Sequence, residues 1–360
     1  MNSFSTFFPT PQFLKLPVVG LDISDQSIRF LELVPGYKGY VAGRFGERKI
    51  APGIVETGKI KDIDGLKKVL SSVQREHGFH YVNVGLPEEQ AYLYRTTLPK
   101  IKRSEIRASI ELQLEEYVPL KAEDATFDYE VIKETPEGYD VQVSALPKTI
   151  SVAYYNMLSD IGFEPVVFEI EAQAIARAVL PRGDKGTSLI VDFGEVRTGI
   201  AVVSEGVVMY TSTLDIGGKN LNEAIEKVFN VNREKAEEIK KNYGLTRSDE
   251  NTKELFFALM HPISILKDEI NKHFIYWHTH TEPGEKERKK IESIILCGGD
   301  SNLLGLSDYL GASLRIPVTV ANVWRNVNSF DNYIPEIHMN DSLRYATTIG
   351  LALGSIYDYD

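Results

Sequence analysis

The chain is short of cysteine, of long apolar runs and of basic charge, and each shortage removes a class of protein. Cys297 is the one cysteine in 360 residues, so no internal disulfide can form and a reducing compartment is expected. It closes the apolar run IESIILC, where a small buried filler is a simpler reading than a catalytic thiol. No stretch approaches the ~18 apolar residues of a membrane span. Residues 1–17, MNSFSTFFPTPQFLKLP, have neither a basic lead nor a continuous apolar segment, and Pro9 and Pro11 interrupt them. A secretory signal is therefore not expected. Lys plus Arg number 40 against 51 Asp plus Glu, a net charge of −11, which argues against a nucleic-acid partner. His273, His278 and His280 stand among bulky aromatics with no cysteine or carboxylate cluster nearby, so the segment reads as a helix end and not as a metal site.

What is present is a soluble composition, 43% hydrophobic and 25% charged, on a chain long enough for two domains with separate cores. The run EKERKK at 285–290 reads as a solvated loop or helix start. Phe4, Phe7, Phe8 and Phe13 are unusually apolar for a tail. Packing on their own domain is expected, with a partner or membrane surface as the alternative.

Two segments stand out: GLDISDQSIRFLEL at 20–33 and LIVDFGEVRTGIAVV at 189–203. Each reads as an apolar strand, an Asp at its end, a tight turn and a second strand. A hairpin tip that exposes backbone N–H groups, with a carboxylate at its base, can hold a phosphate and its Mg²⁺. One such hairpin is common. Two of them, each opening a half of the chain, point to a nucleotide held between two related domains.

Between the hairpins the pattern predicts a helix over 64–77, with Leu66, Val69, Leu70 and Val73 at helical spacing and Gly78 as its stop. YVNVGLP is a short buried strand and EEQAYLYRTTLP another. Ser104 is expected to cap a helix with Ile106, Ile110, Leu114 and Tyr117 on one face, ended by Pro119. A hairpin turning at Pro136, Glu137 and Gly138 follows, then the helix SVAYYNMLSDIG. Strand, helix, hairpin and helix make a small α+β unit inserted into the first domain. The second half reads as three antiparallel strands from 189, helices over 220–278, a strand at 293–297 running into Gly298 and Gly299, a helix over 303–314, and a small-residue helix in SLRYATTIGLALG.

Taken in order, the Asp-turn, the inserted unit, EAQAIARAV, the second Asp-turn, IGG, AEEIK, CGGDSNL and GLALG resemble the actin-like nucleotide-binding superfamily, which includes actin, sugar kinases, heat-shock chaperones and FtsA. The early inserted unit resembles the FtsA arrangement. More narrowly, GLDISDQSIRFLEL, VNVGLPEEQAYLYRTTLP and IRASIELQLEEYVPLKAEDATFDYEV resemble the PilM family of type IV pilus assembly proteins, and the likeness runs over 18–354. It implies an α/β class: an actin-like two-domain fold with an inserted FtsA-like small α+β subdomain. The expected divisions are a tail (1–17), a first actin-like domain (18–85 and 161–187), the inserted subdomain (86–160), a second actin-like domain (188–345) with a helical subdomain near 225–290, and a C-terminal helix and tail (346–360) returning toward the first domain.

The resemblance also implies ATP and Mg²⁺ as cofactors. Asp22 and Asp192 would hold the Mg²⁺ through water, a role that suits carboxylates and a hard cation. Ser24, Asp25, Gln26 and Ser27 would form the first phosphate turn, and Gly194 and Thr198 the second. Gly217 and Gly218, at a helix start, would let amides approach the phosphates. Glu237 and Lys240 would reach the ribose, against the plain alternative of a surface ion pair. Gly298, Gly299 and Ser301 would line the adenine pocket. Ser24 and Asp25 depart from the family pattern of a glycine and then serines; a side chain at Ser24 restricts the turn, and an inward Asp25 would repel phosphate. Glu169, Glu171 and Gln173 are candidates to orient an attacking water, and spacing does not choose among them. Weak or no hydrolysis is expected.

The function implied is a cytoplasmic ATP-binding scaffold at the inner-membrane face. It would bind the N-terminal tail of a PilN-like inner-membrane protein, meet other pilus assembly components and assemble as a ring, with nucleotide as structural ligand or switch. Tyr92, Tyr94, Ile110 and Leu114 are candidates for the partner groove, with core packing as the competing reading. The alternative is a hydrolysing actin-like ATPase or small-molecule kinase, for which no segment clearly supplies an acceptor-side base. A membrane-tethered FtsA-like filament would end in a basic amphipathic helix, whereas SIYDYD is acidic.

Overall fold

Alternation along the strand Val19–Ile23 (β1) sends Val19, Leu21 and Ile23 into one core, while Gly20 and Asp22 take the other face. A computed structural model describes residues 16–247, 250–280 and 288–357. Phe4, Phe7, Phe8, Phe13 and the first half of the 285–290 run lie outside the described residues. The chain divides into two compact units, one running to Ala178 and taking in Asn326–Pro335 and the stretch from Thr347, the other holding Val179–Arg325 and Glu336–Ala346.

In the first unit, β1 pairs antiparallel with Ser27–Gly36 (β2), which pairs antiparallel with Gly39–Lys49 (β3). A small hairpin of Val55–Glu56 (β4) and Lys59–Ile60 (β5) follows. The helix Ile63–His77 starts where the Asp62 carboxylate accepts from Gly65 N and ends at left-handed Gly78. The strand Tyr81–Leu86 (β6) then lies parallel to β1. The inserted module has its own sheet, in which Tyr92–Pro99 (β7), Ala125–Glu134 (β8) and Gly138–Pro147 (β9) pair in the order β7-β9-β8. Its core joins Val141, Val143 and Ala145 to Ile106, Ile110 and Leu114 of the helix Ile106–Tyr117. Ser104 is not that helix's cap: it lies in the turn Arg103–Glu105, and the Glu105 carboxylate reaches back to Lys102 N at 3.0 Å. The helix Lys148–Asp160 serves the larger core, to which it gives Tyr154, Met157 and Leu158. The strand Glu164–Ile170 (β10) closes the main sheet, parallel to β6, in the order β3-β2-β1-β6-β10.

The other face of that sheet takes the helix Ala346–Tyr357. Asn83 Nδ2 on β6 donates to Leu351 O at 2.8 Å and Ser355 Oγ at 2.7 Å.

The second unit repeats this plan. Thr187–Phe193 (β11), Thr198–Ser204 (β12) and Val207–Leu214 (β13) are antiparallel neighbours. Ser293–Cys297 (β14) joins β11 in parallel and Val318–Val320 (β15) joins β14 in parallel. The order β13-β12-β11-β14-β15 matches β3-β2-β1-β6-β10 strand for strand. Leu189, Val191 and Phe193 pack against the helices Gly218–Phe229, Glu250–Thr279 and Leu306–Leu314 through Leu221, Ile263, Leu266 and Leu310. Each such fully buried side chain is worth about 2 kcal/mol in surface removed from water. The histidines of HFIYWHTH fall on the last turns of Glu250–Thr279 or just beyond, where His273 Nδ1 lies 2.8 Å from the Tyr210 hydroxyl and His278 Nε2 accepts from Ile291 N.

Candidate functional site

Asp22 and Asp192 occupy the same place in the two sheets. Each is the next-to-last residue of the first strand, β1 or β11, before the turn to its antiparallel neighbour. Asp22 is buried, and its cross-strand partner Arg29 approaches to 3.6 Å while also bonding Glu47 at 2.8 Å. Burial pushes the Asp22 carboxyl up, the Arg29 charge pulls it back, and the net direction is upward. Beyond Asp22 the turn is closed by its own serines. Ser24 N donates to Ser27 O at 2.9 Å and Ser24 Oγ donates to the same carbonyl at 3.0 Å. Ser24 needs no left-handed conformation, so the expected restriction at this position does not arise. Gln26 O accepts from Ile50 N at 2.9 Å. The Asp25 carboxylate accepts from Thr57 N at 3.1 Å and Gly58 N at 3.2 Å, and so engages the β4–β5 turn.

Of the three water-orienting candidates, Glu169 is already committed. Arg177 holds both of its oxygens, one of them at 2.7 Å, and also donates to Gly350 O at 2.9 Å. Glu171 and Gln173 lie half-buried on the helix Glu171–Val179.

In the second unit the geometry changes several expected roles. The Asp192 Oδ1 atom lies 3.9 Å from the Cys297 thiol, and burial together with that carboxylate pushes the thiol well above its ordinary value. Cys297 is therefore a protonated interior group, as a filler should be. Gly298 follows with φ 87°, and a Cβ there would fall 2.6 Å from Phe193 O, so the chain can pass over the end of β11 only as glycine. Gly299 lies about a side chain's width from Arg344, since a Cβ on it would stand 3.8 Å from Arg344 Cβ. Thr198 is fully buried, and its hydroxyl donates to Ile216 O at 2.7 Å. Ser301 is equally enclosed and donates to Cys297 O. Both hydroxyls, expected at phosphate and adenine, are spent inside the fold.

The amides at the start of Gly218–Phe229 are also spent. Gly218 N donates to Gly194 O at 3.0 Å, Lys219 N to Glu195 O at 2.7 Å and Gly217 N to Asn220 Oδ1 at 2.9 Å. The 194–195 turn thus takes the place expected for phosphate oxygens, because its carbonyls satisfy the helix's unpaired donors. The Asp300 carboxylate packs directly on Gly218.

Lys240 is neither a surface partner nor an open ribose ligand. It is 4% exposed and sits between Asp300 at 2.5 Å and Glu237 at 2.7 Å. Glu237 also accepts from Asn222 Nδ2 at 2.7 Å. Burial would raise the Glu237 carboxyl, but Lys240, Asn222 and Lys241 overcome it and hold it at about 2. Asp300 goes the other way: burial raises it and Lys240 only partly offsets that. Sequence reasoning missed Arg29, Asn222 and Asp300. Asp300 alone carried a signal, standing directly after Gly298–Gly299.

In the module, Ile110 and Leu114 are fully buried and belong to its core, not to a groove. Tyr92 and Tyr94 pack partly on the same core. Tyr94 stacks on Tyr117, with centroids 4.6 Å apart and planes 4° from parallel. Burial and Tyr117 push its phenol up to about 12. Among the described residues no group of three or more His, Cys, Asp or Glu side chains forms a metal-ligand set, and no helix is long and apolar enough to cross a membrane.

Known proteins share this fold. A solved PilM–PilN type IV pilus biogenesis complex superposes with a TM-score of 0.77 at 21% identity, over 95% of this chain and 99% of that one. MreB5 of Spiroplasma citri bound to ADP gives 0.57 at 14% identity over 96% and 97%, and EutJ of Carboxydothermus hydrogenoformans 0.56 at 17% over 96% and 91%. The fold is therefore the actin-like one. Cell division protein FtsA of Streptococcus pneumoniae is 25% identical over 266 residues, 66% of this chain. The aligned part is 58% of that protein's length. The sequence model described as type IV pilus assembly protein PilM matches residues 20–356, nearly the whole chain, which therefore belongs to the PilM family of type IV pilus assembly proteins.

Proposed function

We propose that this protein is an ATP-binding scaffold of the type IV pilus machinery, acting at the cytoplasmic face of the inner membrane. It captures the cytoplasmic N-terminal tail of a PilN-like membrane protein and uses nucleotide as a structural ligand that it splits weakly or not at all. The observation that carries the nucleotide reading is the matched position of Asp22 and Asp192 in two sheets of identical strand order. Each is a strand-end carboxylate, the donor type that suits a Mg²⁺ held through water. Arg29 does not block Asp22, because Glu47 offers it a second, closer carboxylate.

The phosphates would be met by the 24–27 turn, not by Gly194, whose amide donates to Arg197 O at 3.0 Å, nor by the helix start at Gly217 and Gly218 or by Thr198. A ribose would meet the half-exposed Glu237, which Lys240 holds ionised. Gly298 and Gly299 remain the candidates beside adenine, and Glu171 and Gln173 those beside a water. MreB5 of the same fold has been solved with both ADP and AMPPNP. Commitment of Glu169 to Arg177 favours holding over turnover.

For the partner, the related complex pairs a PilM protein with PilN. Tyr92 and Tyr94 stay as contact candidates in the module, and other assembly components and a ring of copies complete the reading. A synthetic peptide of the PilN cytoplasmic N-terminus, titrated into the full chain by calorimetry, should bind with micromolar affinity, on the order of −8 kcal/mol. It should bind differently with Mg·ATP than with EDTA. No binding under either condition contradicts the proposal.

A further inference from the structure

The two residues at the β4–β5 tip, Thr57 and Gly58, have φ of 51° and 71°. Two left-handed residues suit a two-residue hairpin turn, but such turns favour Asn, Asp or Gly at the first position. A β-branched threonine there is strained, and strain of this kind persists only where surrounding contacts over-determine it.

Here they do, for all four main-chain polar groups of the tip are held by side chains. Thr57 N and Gly58 N donate to the two oxygens of Asp25 at 3.1 and 3.2 Å. Thr57 O accepts from Gln90 Nε2 at 3.0 Å, and Gly58 O accepts from the buried Tyr154 hydroxyl at 3.1 Å. Pro87 packs on the Gly58 Cα. The anchors come from three places. Asp25 belongs to the candidate phosphate turn. Pro87 and Gln90 stand where the chain enters the inserted module, just before β7. Tyr154 lies on the helix Lys148–Asp160, by which the chain leaves it.

We propose that Asp25 is a positioning residue and not a phosphate ligand. Through the Thr57–Gly58 tip it ties the 24–27 turn to both chain crossings at the root of the module. Filling the turn with nucleotide therefore changes the seating of the module and its affinity for the partner peptide. The second half of this inference rests on the proposed function; the mechanical half does not. Neutralising Asp25 removes the acceptor of both tip amides, releases the strained threonine and frees Gln90 from a fixed carbonyl. Removing Gln90 loosens the same tip from the opposite side.

Hydrogen exchange on the full chain without nucleotide tests the mechanical half. Asp25→Ala should speed exchange roughly tenfold or more at Thr57 and Gly58 and, beyond them, at Gln90 and Ala91 in the turn that opens the module. Gln90→Ala, a milder change, should speed exchange at Ser24 and Ser27, on the far side of the tip. If each variant disturbs only its immediate bonding partners, the coupling is refuted. The regulatory half is read by titrating the PilN peptide with and without Mg·ATP. The wild type should show at least about a fivefold difference in affinity, and Asp25→Ala should lose it; loss of Mg·ATP binding by Asp25→Ala itself would make Asp25 a phosphate ligand and overturn the inference. An equal difference in Asp25→Ala overturns the regulatory half. Failure of the wild type to bind Mg·ATP at all overturns the proposed function and that half with it, whatever the exchange pattern shows.

Discussion

Gly350 lies directly on the carbonyl of Ala174. A Cβ built on it would fall inside the van der Waals envelope of that oxygen. Arg177 fixes the contact by donating to Gly350 O at 2.9 Å, while Glu169 grips the guanidinium. The helices Ala346–Tyr357 and Glu171–Val179 can cross this closely only through small residues. Gly350→Ala should cost about 2 kcal/mol or more through overpacking, seen as a lower midpoint in urea with the slope unchanged. An unchanged midpoint would mean that the crossing is looser than the geometry requires.

The buried Lys240 supports a second prediction. Asp300→Ala leaves its ammonium at 4% exposure with Glu237 as its remaining close carboxylate. Breaking a buried pair from one side costs about 3 kcal/mol. Lys240→Met combined with Asp300→Ala should recover part of that loss, because no charge is then stranded. Additive losses in urea denaturation would count against a coupled pair.

Acid should dismantle the same cluster in a defined window. The folded Glu237 carboxyl is held at about 2, below its ordinary 4.5. A depressed carboxyl stabilises the fold above its unfolded value and loses that contribution as pH falls toward the folded one. Stability should thus decline between pH 4.5 and about 2, and Glu237→Gln should flatten the decline. Asp300 contributes with opposite sign, since its carboxyl is raised. Chemical denaturation at stepped pH distinguishes the two slopes.

In the module, the Tyr94 hydroxyl is buried without a hydrogen-bond partner among the described residues, whereas the Tyr117 hydroxyl lies 3.0 Å from Thr96 Oγ1. Tyr94→Phe should be neutral or stabilising, and Tyr117→Phe should lose about 1 kcal/mol. Thermal denaturation of the two variants side by side checks the order.

What the sequence disclosed was local. The hairpins around Asp22 and Asp192 were legible because strand, turn and strand are adjacent in the chain, and the apolar alternation names the buried face. The module was legible for the same reason. Its helix start was not, because the turn Arg103–Glu105 takes up Ser104 ahead of the helix and the Glu105 carboxylate bonds back to Lys102 N. Lys240 at i,i+3 from Glu237 looks like a surface pair. Nothing local shows that it turns inward to Asp300, 60 positions away. From the sequence the helix start at Gly217 and Gly218 looks open to phosphate, because the acceptors of Gly218 N and Lys219 N, Gly194 O and Glu195 O, come from a separate turn. Asp25 falls in the expected phosphate turn, as a repelling charge if it points inward, and the sequence does not show its direction because its partners, Thr57 and Gly58, lie beyond β3. Long-range pairing decided each of these.

Equilibrium titration of labelled ATP into wild type, Asp22→Asn and Asp192→Asn tests the proposed nucleotide binding most directly. The wild type should bind in a Mg²⁺-dependent way and each variant should lose at least tenfold, about 1.4 kcal/mol, with ATP recovered intact. Binding unaffected by either substitution, or by removal of Mg²⁺, would contradict it.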